Sequence, residues 1–213
     1  MSMAAYSPRE ELAHSVTHAL GVVACLAALP LLVVTAALHG DALRLIGGVA
    51  FGLTALVMFG TSTLYHAART PRTKAVLRTL DHSAIYLLIA GTYAPFLSLL
   101  KSGIAWTVLT TGLWSSALAG VFLKIALPGR FDRLSIALYL LMGWSGVMAY
   151  DYFVPVVPSK ALWLLAIGGA FYSLGTLFHL WENLRFQNAI WHGCVLIAAS
   201  CHYSAVLTCL AAA

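Results

Sequence analysis

Charge is the scarcest thing in this sequence. Of 213 residues only 7 are Asp or Glu and 12 are Lys or Arg, together 9%, where a soluble domain carries about 25%. That shortage excludes an ordinary soluble enzyme or a solvated binding module. No run of like charge is long enough to act as a nucleic-acid arm, so no nucleic-acid partner is expected. The net charge of +5 falls in short loops, where it speaks of orientation and contact with anionic lipid. Cysteines number only four: Cys25, Cys194, Cys201 and Cys209. None has metal-type CxxC spacing and all lie in apolar runs, so they read as small apolar fillers. A secretory signal is missing too. Residues 1–13 carry Arg9, Glu10 and Glu11, and no small-residue cleavage site follows a short apolar core, so the first apolar segment is expected to stay as a membrane span. The sequence has no internal repeat and no low-complexity segment.

What is present is apolar. Hydrophobic residues make up 61% of the chain and the mean hydropathy is +0.89. Crossing the hydrocarbon core takes about 20 apolar residues in a helix. Seven segments qualify, near Val16–Leu38, Leu43–Tyr65, His82–Leu100, Ile104–Ile125, Leu134–Phe153, Ala161–Leu180 and Ala189–Leu210. Backbone groups in lipid must be satisfied within the segment, and these runs do not alternate as barrel strands would. Pro30 and Pro95 fall inside spans, where kinks are tolerated. The small-residue pairs Gly47-Gly48 and Gly168-Gly169 permit close helix packing; oligomeric state stays open.

Orientation follows from the basic residues. Arg9, Arg69, Arg72, Lys74, Arg78, Lys124, Arg130, Arg133 and Arg185 fall on one side, and only Arg44, Lys101 and Lys160 on the other. The positive-inside rule then places the N-terminus in the cytoplasm and the C-terminus outside. The expected architecture is all-α: one seven-helix transmembrane domain over residues 1–213, with a short cytoplasmic segment, 1–14, in the cell's inner (plasma) membrane.

On this topology six of the eight histidines gather near the cytoplasmic face: His14, His18, His66, His82, His179 and His192. His39 lies at the outer side, and His202 lies about 15 Å beyond His192 along the last helix. Ionisable groups at span depth are costly and face the bundle interior or a cavity, so several at one depth point to a shared site. Each also has a bland reading. His14 reads as interfacial and solvated, His18 as an interhelical hydrogen bonder, and His82 as facing away from its neighbour Asp81. His179 reads as the helix-end partner of Glu182, and His202 as a buried polar contact. His66 and His192 stand out. Each follows a polar residue by four, Ser62 and Asn188, and i, i+4 pairs share a helix face. Imidazole is the commonest zinc ligand, and a carboxylate can hold a water or orient a ligand.

Three strings carry a resemblance: Thr61-Ser62-Thr63-Leu64-Tyr65-His66, the run from Leu80-Asp81-His82 to Tyr93-Ala94-Pro95, and Ala189-Ile190-Trp191-His192. They resemble the bacterial hemolysin III proteins, which group with the progestin and adipoQ receptors, the adiponectin receptor group. Thr17-His18 and Cys201-His202 also fit. The resemblance implies seven helices with a cytoplasmic N-terminus. It also implies Ser-x3-His at the end of the second helix, Asp at the start of the third and His-x3-His at the start of the seventh. In the receptor branch the three histidines bind zinc and the aspartate helps hold a water on it. Carried over by position, His66 and His192 are the expected zinc ligands, Ser62 a supporting group and Asp81 the water holder or general base. Asn188 stands where the first His of His-x3-His is expected. Its amide oxygen is a poor zinc ligand, so a water, Asp81 or His18 is expected to complete the site.

Three functions follow as expectations. The resemblance extends to the alkaline ceramidases through the Ser, Asp and His set, and implies a metal-dependent hydrolase acting on a membrane lipid amide or ester. A second reading is a non-catalytic sensor or membrane-homeostasis protein whose structural metal ties the second, third and seventh helices together. A third is a pore-forming hemolysin, against which stands the lack of charge in the outer halves of the spans.

Overall fold

A computed structural model describes residues 6–39 and 41–212. The first five residues of the N-terminal segment and Gly40 of the first joint lie outside them. Seven helices among the described residues are long and apolar enough to span a membrane: Pro8–His39, Ala42–Ala67, Pro71–Leu100, Ile104–Ala126, Asp132–Phe153, Ser159–Leu180 and Gln187–Ala211. At 22 to 32 residues each they are about 33–48 Å long, and no strand occurs among the described residues. The chain is therefore an all-helical, multi-pass membrane protein. Its outer surface agrees: Leu20, Val23, Phe122, Met148 and Trp163 are all more than half exposed, and a soluble surface would not leave so much apolar area to water.

Two helices begin well before their apolar runs. The first starts at Pro8, where the Ser7 backbone N–H and hydroxyl both donate to Glu10 Oε2, at 2.9 and 2.7 Å. This is the reciprocal start signal Ser-x-x-Glu with proline at the first helical position. The third starts at Pro71, capped by Thr70, whose Oγ1 accepts from the Thr73 backbone N–H at 3.3 Å. The expectation that Asp81 and His82 open the third helix is thus corrected. They sit about three turns inside it, because Arg72, Lys74 and Arg78 are helical residues and not loop residues.

The helices form a ring. The first packs on the second and seventh, the second on the third, the third on the fourth, and the sixth on the seventh; the fifth span touches its neighbours least. Glycine sets the closest approach. A Cβ at Gly47 would stand 2.8 Å from Pro95 Cα and 2.9 Å from the Ala94 carbonyl oxygen, so only glycine lets the second helix lie on the third there. Gly168 meets His202 and the Ala198 carbonyl, so it too serves packing inside the bundle.

The fifth span breaks at mid-length. Asp132–Trp144 is α-helical, Ser145–Ala149 is a 3₁₀ turn, and Tyr150–Phe153 resumes the helix. The cause is a hydroxyl from the third helix. Tyr93 Oη donates to the Gly143 carbonyl at 2.7 Å and accepts from the Gly146 N–H at 2.8 Å, inserting itself into the i→i−4 ladder. On the bundle side of this break lies a cavity of about 550 Å³.

Candidate metal centre

The cavity is polar at one end and apolar at the other. Ser62, His66, Asp81, Asn188 and His192 line the first, and Phe96, Phe153, Val157 and Leu165 line the second. At the polar end the first and seventh helices begin, the second ends, and the third has run about three turns.

Here three imidazoles converge. His14 comes from the second turn of the first helix, His66 from the last turn of the second, and His192 from the second turn of the seventh. Each offers a ring nitrogen, and all three atoms lie within 4.8 Å of one another. Among the described residues no other group of three His, Cys, Asp or Glu side chains meets this condition. All three residues are buried.

Their surroundings fix which nitrogen points inward. His66 Nδ1 lies 2.8 Å from Glu11 Oε2. An ionised carboxylate only accepts, so Nδ1 carries the proton and Nε2 keeps its lone pair for the centre. Lys74 pairs with the other Glu11 oxygen. His192 Nδ1 lies 2.6 Å from His18 Nε2, which turns His192 Nε2 to the centre, where Asn188 Nδ2 also stands 3.0 Å from it. The two inward nitrogens are 3.2 Å apart. Two imidazoles on a tetrahedral zinc ion, with Zn–N of about 2.05 Å, stand about 3.3 Å apart. His14 gives a second test of fit. Both its ring nitrogens are buried without a hydrogen-bond partner in the protein, a costly arrangement for a core histidine that a bound metal would relieve at one nitrogen. Three neutral nitrogen donors suit zinc and its neighbours among the divalent transition metals.

The expected residues fare differently. His66 and His192 come together. His18 and Asn188, expected as ligands, do not join the converging set. His18 reaches the centre through His192, as its interhelical reading allowed. Asn188 stands at the edge of the centre with its amide nitrogen toward it: its Nδ2 lies 3.0 Å from His192 Nε2, and its Oδ1 3.0 Å from His179 Nδ1. Ser62 and Asp81 are buried on the cavity wall, with Ser62 Oγ unpartnered. His14 is corrected from solvated to fully buried (0% exposed). A signal for it existed, because His14-x3-His18 repeats the four-residue spacing of Ser62–His66 and Asn188–His192. His179 turns to Asn188 and not to Glu182, which lies beyond the end of the sixth helix. His202 is the buried polar contact expected, 3.3 Å from the Leu165 carbonyl oxygen. The four cysteines are free thiols.

A second charged cluster borders the same cavity. Asp132, at the start of the fifth span, accepts from Lys124 Nζ at 2.7 Å and from Arg78 Nη2 at 2.8 Å, with His82 Nδ1 at 3.8 Å. Lys124, counted on the more basic side from the sequence, is 2% exposed. Tyr139 Oη donates to the His82 carbonyl at 2.7 Å, holding the third helix against the fifth beside this cluster.

Comparison with known proteins agrees over nearly the whole chain. A family model described as haemolysin-III related matches residues 6–203. A hemolysin-3 homolog of Bacillus subtilis is 39% identical over 203 residues, 95% of each chain. The hemolysin-3 of Bacillus cereus is 37% identical, over 93% of this chain and 91% of its own. The human monocyte to macrophage differentiation factor is 29% identical over 92% of this chain and 83% of its own.

Proposed function

The chain belongs to the haemolysin-III related family, and on that premise we propose that it is a zinc-binding protein of the cell's inner membrane that hydrolyses a lipid amide or ester. One observation carries the reading: three buried imidazoles converge, and two of them, His66 and His192, line the polar end of a cavity whose other end is apolar. The excess of Lys and Arg at that end supports a cytoplasmic placement of the N-terminus and the site.

The cavity residues divide the work. Phe96, Phe153, Val157 and Leu165 hold an acyl chain and keep water from it. When bound, the metal supplies Lewis acidity and a water acidic enough to lose a proton near neutral pH. Asp81 accepts a proton from the attacking water as its oxygen bonds to the acyl carbon. It then returns that proton to the amine or alkoxide as the carbon–nitrogen or carbon–oxygen bond breaks. Ser62 Oγ, free of any protein partner, donates to the carbonyl oxygen as charge builds there.

A second reading has its own support. The imidazoles come from the first, second and seventh helices, so a purely structural metal would lock the ring in a sensor or homeostasis protein. The sequence-based version of this reading had named the third helix in place of the first. A conducting pore has less support, because the far half of the cavity is apolar.

The test is fatty-acid release from an N-acyl sphingoid lipid and from an ester phospholipid in mixed micelles, with zinc per chain measured alongside. Turnover by the native protein, abolished in Asp81→Asn with zinc retained, is the expected result. A zinc-loaded native protein that turns over neither lipid class would favour the structural reading.

A further inference from the structure

We infer that one metal-ligand position has been exchanged between helices in this chain, with His14 of the first helix supplying the imidazole that Asn188 of the seventh does not. The inference rests on the metal-site reading above and adds which residue completes it.

Asn188 sits where a ligand from the seventh helix would reach the centre. Its Nδ2 is 3.0 Å from His192 Nε2, so a longer, ring-bearing side chain at 188 would project among the three imidazoles. The amide oxygen, its one candidate donor atom, faces His179 Nδ1 instead. Asn188 therefore acts as a positioning residue that holds His179 and His192 together.

His14 reaches the same two imidazoles from the first helix. Its ring centroid is 4.6 Å from that of His66 and 5.3 Å from that of His192, edge-on to both. It has 0% exposure and no hydrogen-bond partner at either nitrogen. His66 has Nδ1 taken by Glu11, and His192 has Nδ1 facing His18 and Nε2 facing Asn188 Nδ2. His14 alone of the three has both free. Glu11 sits one turn before His14, with Oε2 3.9 Å from His14 Nδ1. One carboxylate thus orients His66 through a hydrogen bond, as outer-shell groups do for metal-binding histidines, and lies near His14 beyond hydrogen-bond distance.

Positions 14 and 188 are therefore alternative sources of one ligand, and exchanging their residues should preserve the site. The experiment measures zinc per chain by elemental mass spectrometry on full-length protein in detergent, loaded with excess zinc and desalted. Native protein is compared with His14→Asn, Asn188→His and the double exchange His14→Asn/Asn188→His, each checked for a single species and a cooperative thermal transition. About one zinc in the native chain, at least about tenfold weaker retention in His14→Asn, and recovery in the double exchange are expected. X-ray absorption at the zinc edge of native protein counts imidazoles without any substitution, and three are expected. Two imidazoles, a folded His14→Asn that keeps its zinc, or a folded double exchange that lacks it would overturn the exchange while the metal site stands. Zinc in Asn188→His but not in native protein would overturn it as well. Zinc in neither would sink the metal-site reading itself.

Discussion

Replacing Glu11 should loosen the metal without touching a ligand. Its Oε2 accepts from His66 Nδ1 at 2.8 Å and lies 3.9 Å from His14 Nδ1, so it fixes the tautomer of one imidazole and faces a second. Outer-shell partners of this kind are worth about 10- to 100-fold in metal affinity, or about 1.4 to 2.7 kcal/mol. Glu11→Gln keeps an acceptor oxygen but loses the charge, so it belongs at the lower end of that range. Glu11→Ala leaves a buried N–H without a partner and belongs at the upper end. Lys74→Met removes only the ammonium on the other carboxylate oxygen. That pair is about one-fifth exposed on each side, so its loss should cost under about 1 kcal/mol. Competition against a chromophoric zinc chelator at fixed pH reads all three. A folded Glu11→Ala protein with native zinc affinity would refute the reasoning, because His66 would then be oriented by something other than this carboxylate.

Two further outcomes follow from the same geometry. Asp132→Ala strands Lys124 and Arg78 against the cavity, and removing one partner of a buried ion pair costs about 3 kcal/mol or more. Thermal unfolding in detergent should show this as a clear drop, and Lys124→Met on that background should recover part of it; an unchanged transition would show the cluster to be solvated. Tyr93→Phe removes the acceptor of the Gly146 N–H and should cost about 1–2 kcal/mol with zinc content unaltered, so a loss of zinc in this variant would mean the break in the fifth span also shapes the metal site.

The seven spans were legible because lipid imposes length and hydropathy together, and those runs reappear inside the observed helices. Helix starts were harder. Hydropathy cannot see charged residues that are helical, so the first helix seemed to begin near Val16 and the third at His82. Ser7-Pro8 and Thr70-Pro71, the true starts, share a capping hydroxyl followed by proline. The site misread has the same root. His14 looked interfacial because it precedes the apolar run, yet on a helix begun at Pro8 it lies on the second turn, facing inward. Glu11, Lys124 and Asp132 were invisible for a different reason. Their roles depend on which helices adjoin, and a single sequence holds no record of that. His66 and His192, by contrast, could be singled out from spacing alone.

The ring of helices closes where the first and seventh helices meet, and the candidate metal centre lies on that seam. His18 and His192 touch across 174 residues of sequence. During synthesis the first two helices emerge with His14 and His66 long before the seventh delivers His192. A growing chain therefore carries an unfinished site until its seventh span is inserted and the first and seventh helices dock. Metal capture at this seam would add its binding energy to the docking of the first helix on the seventh.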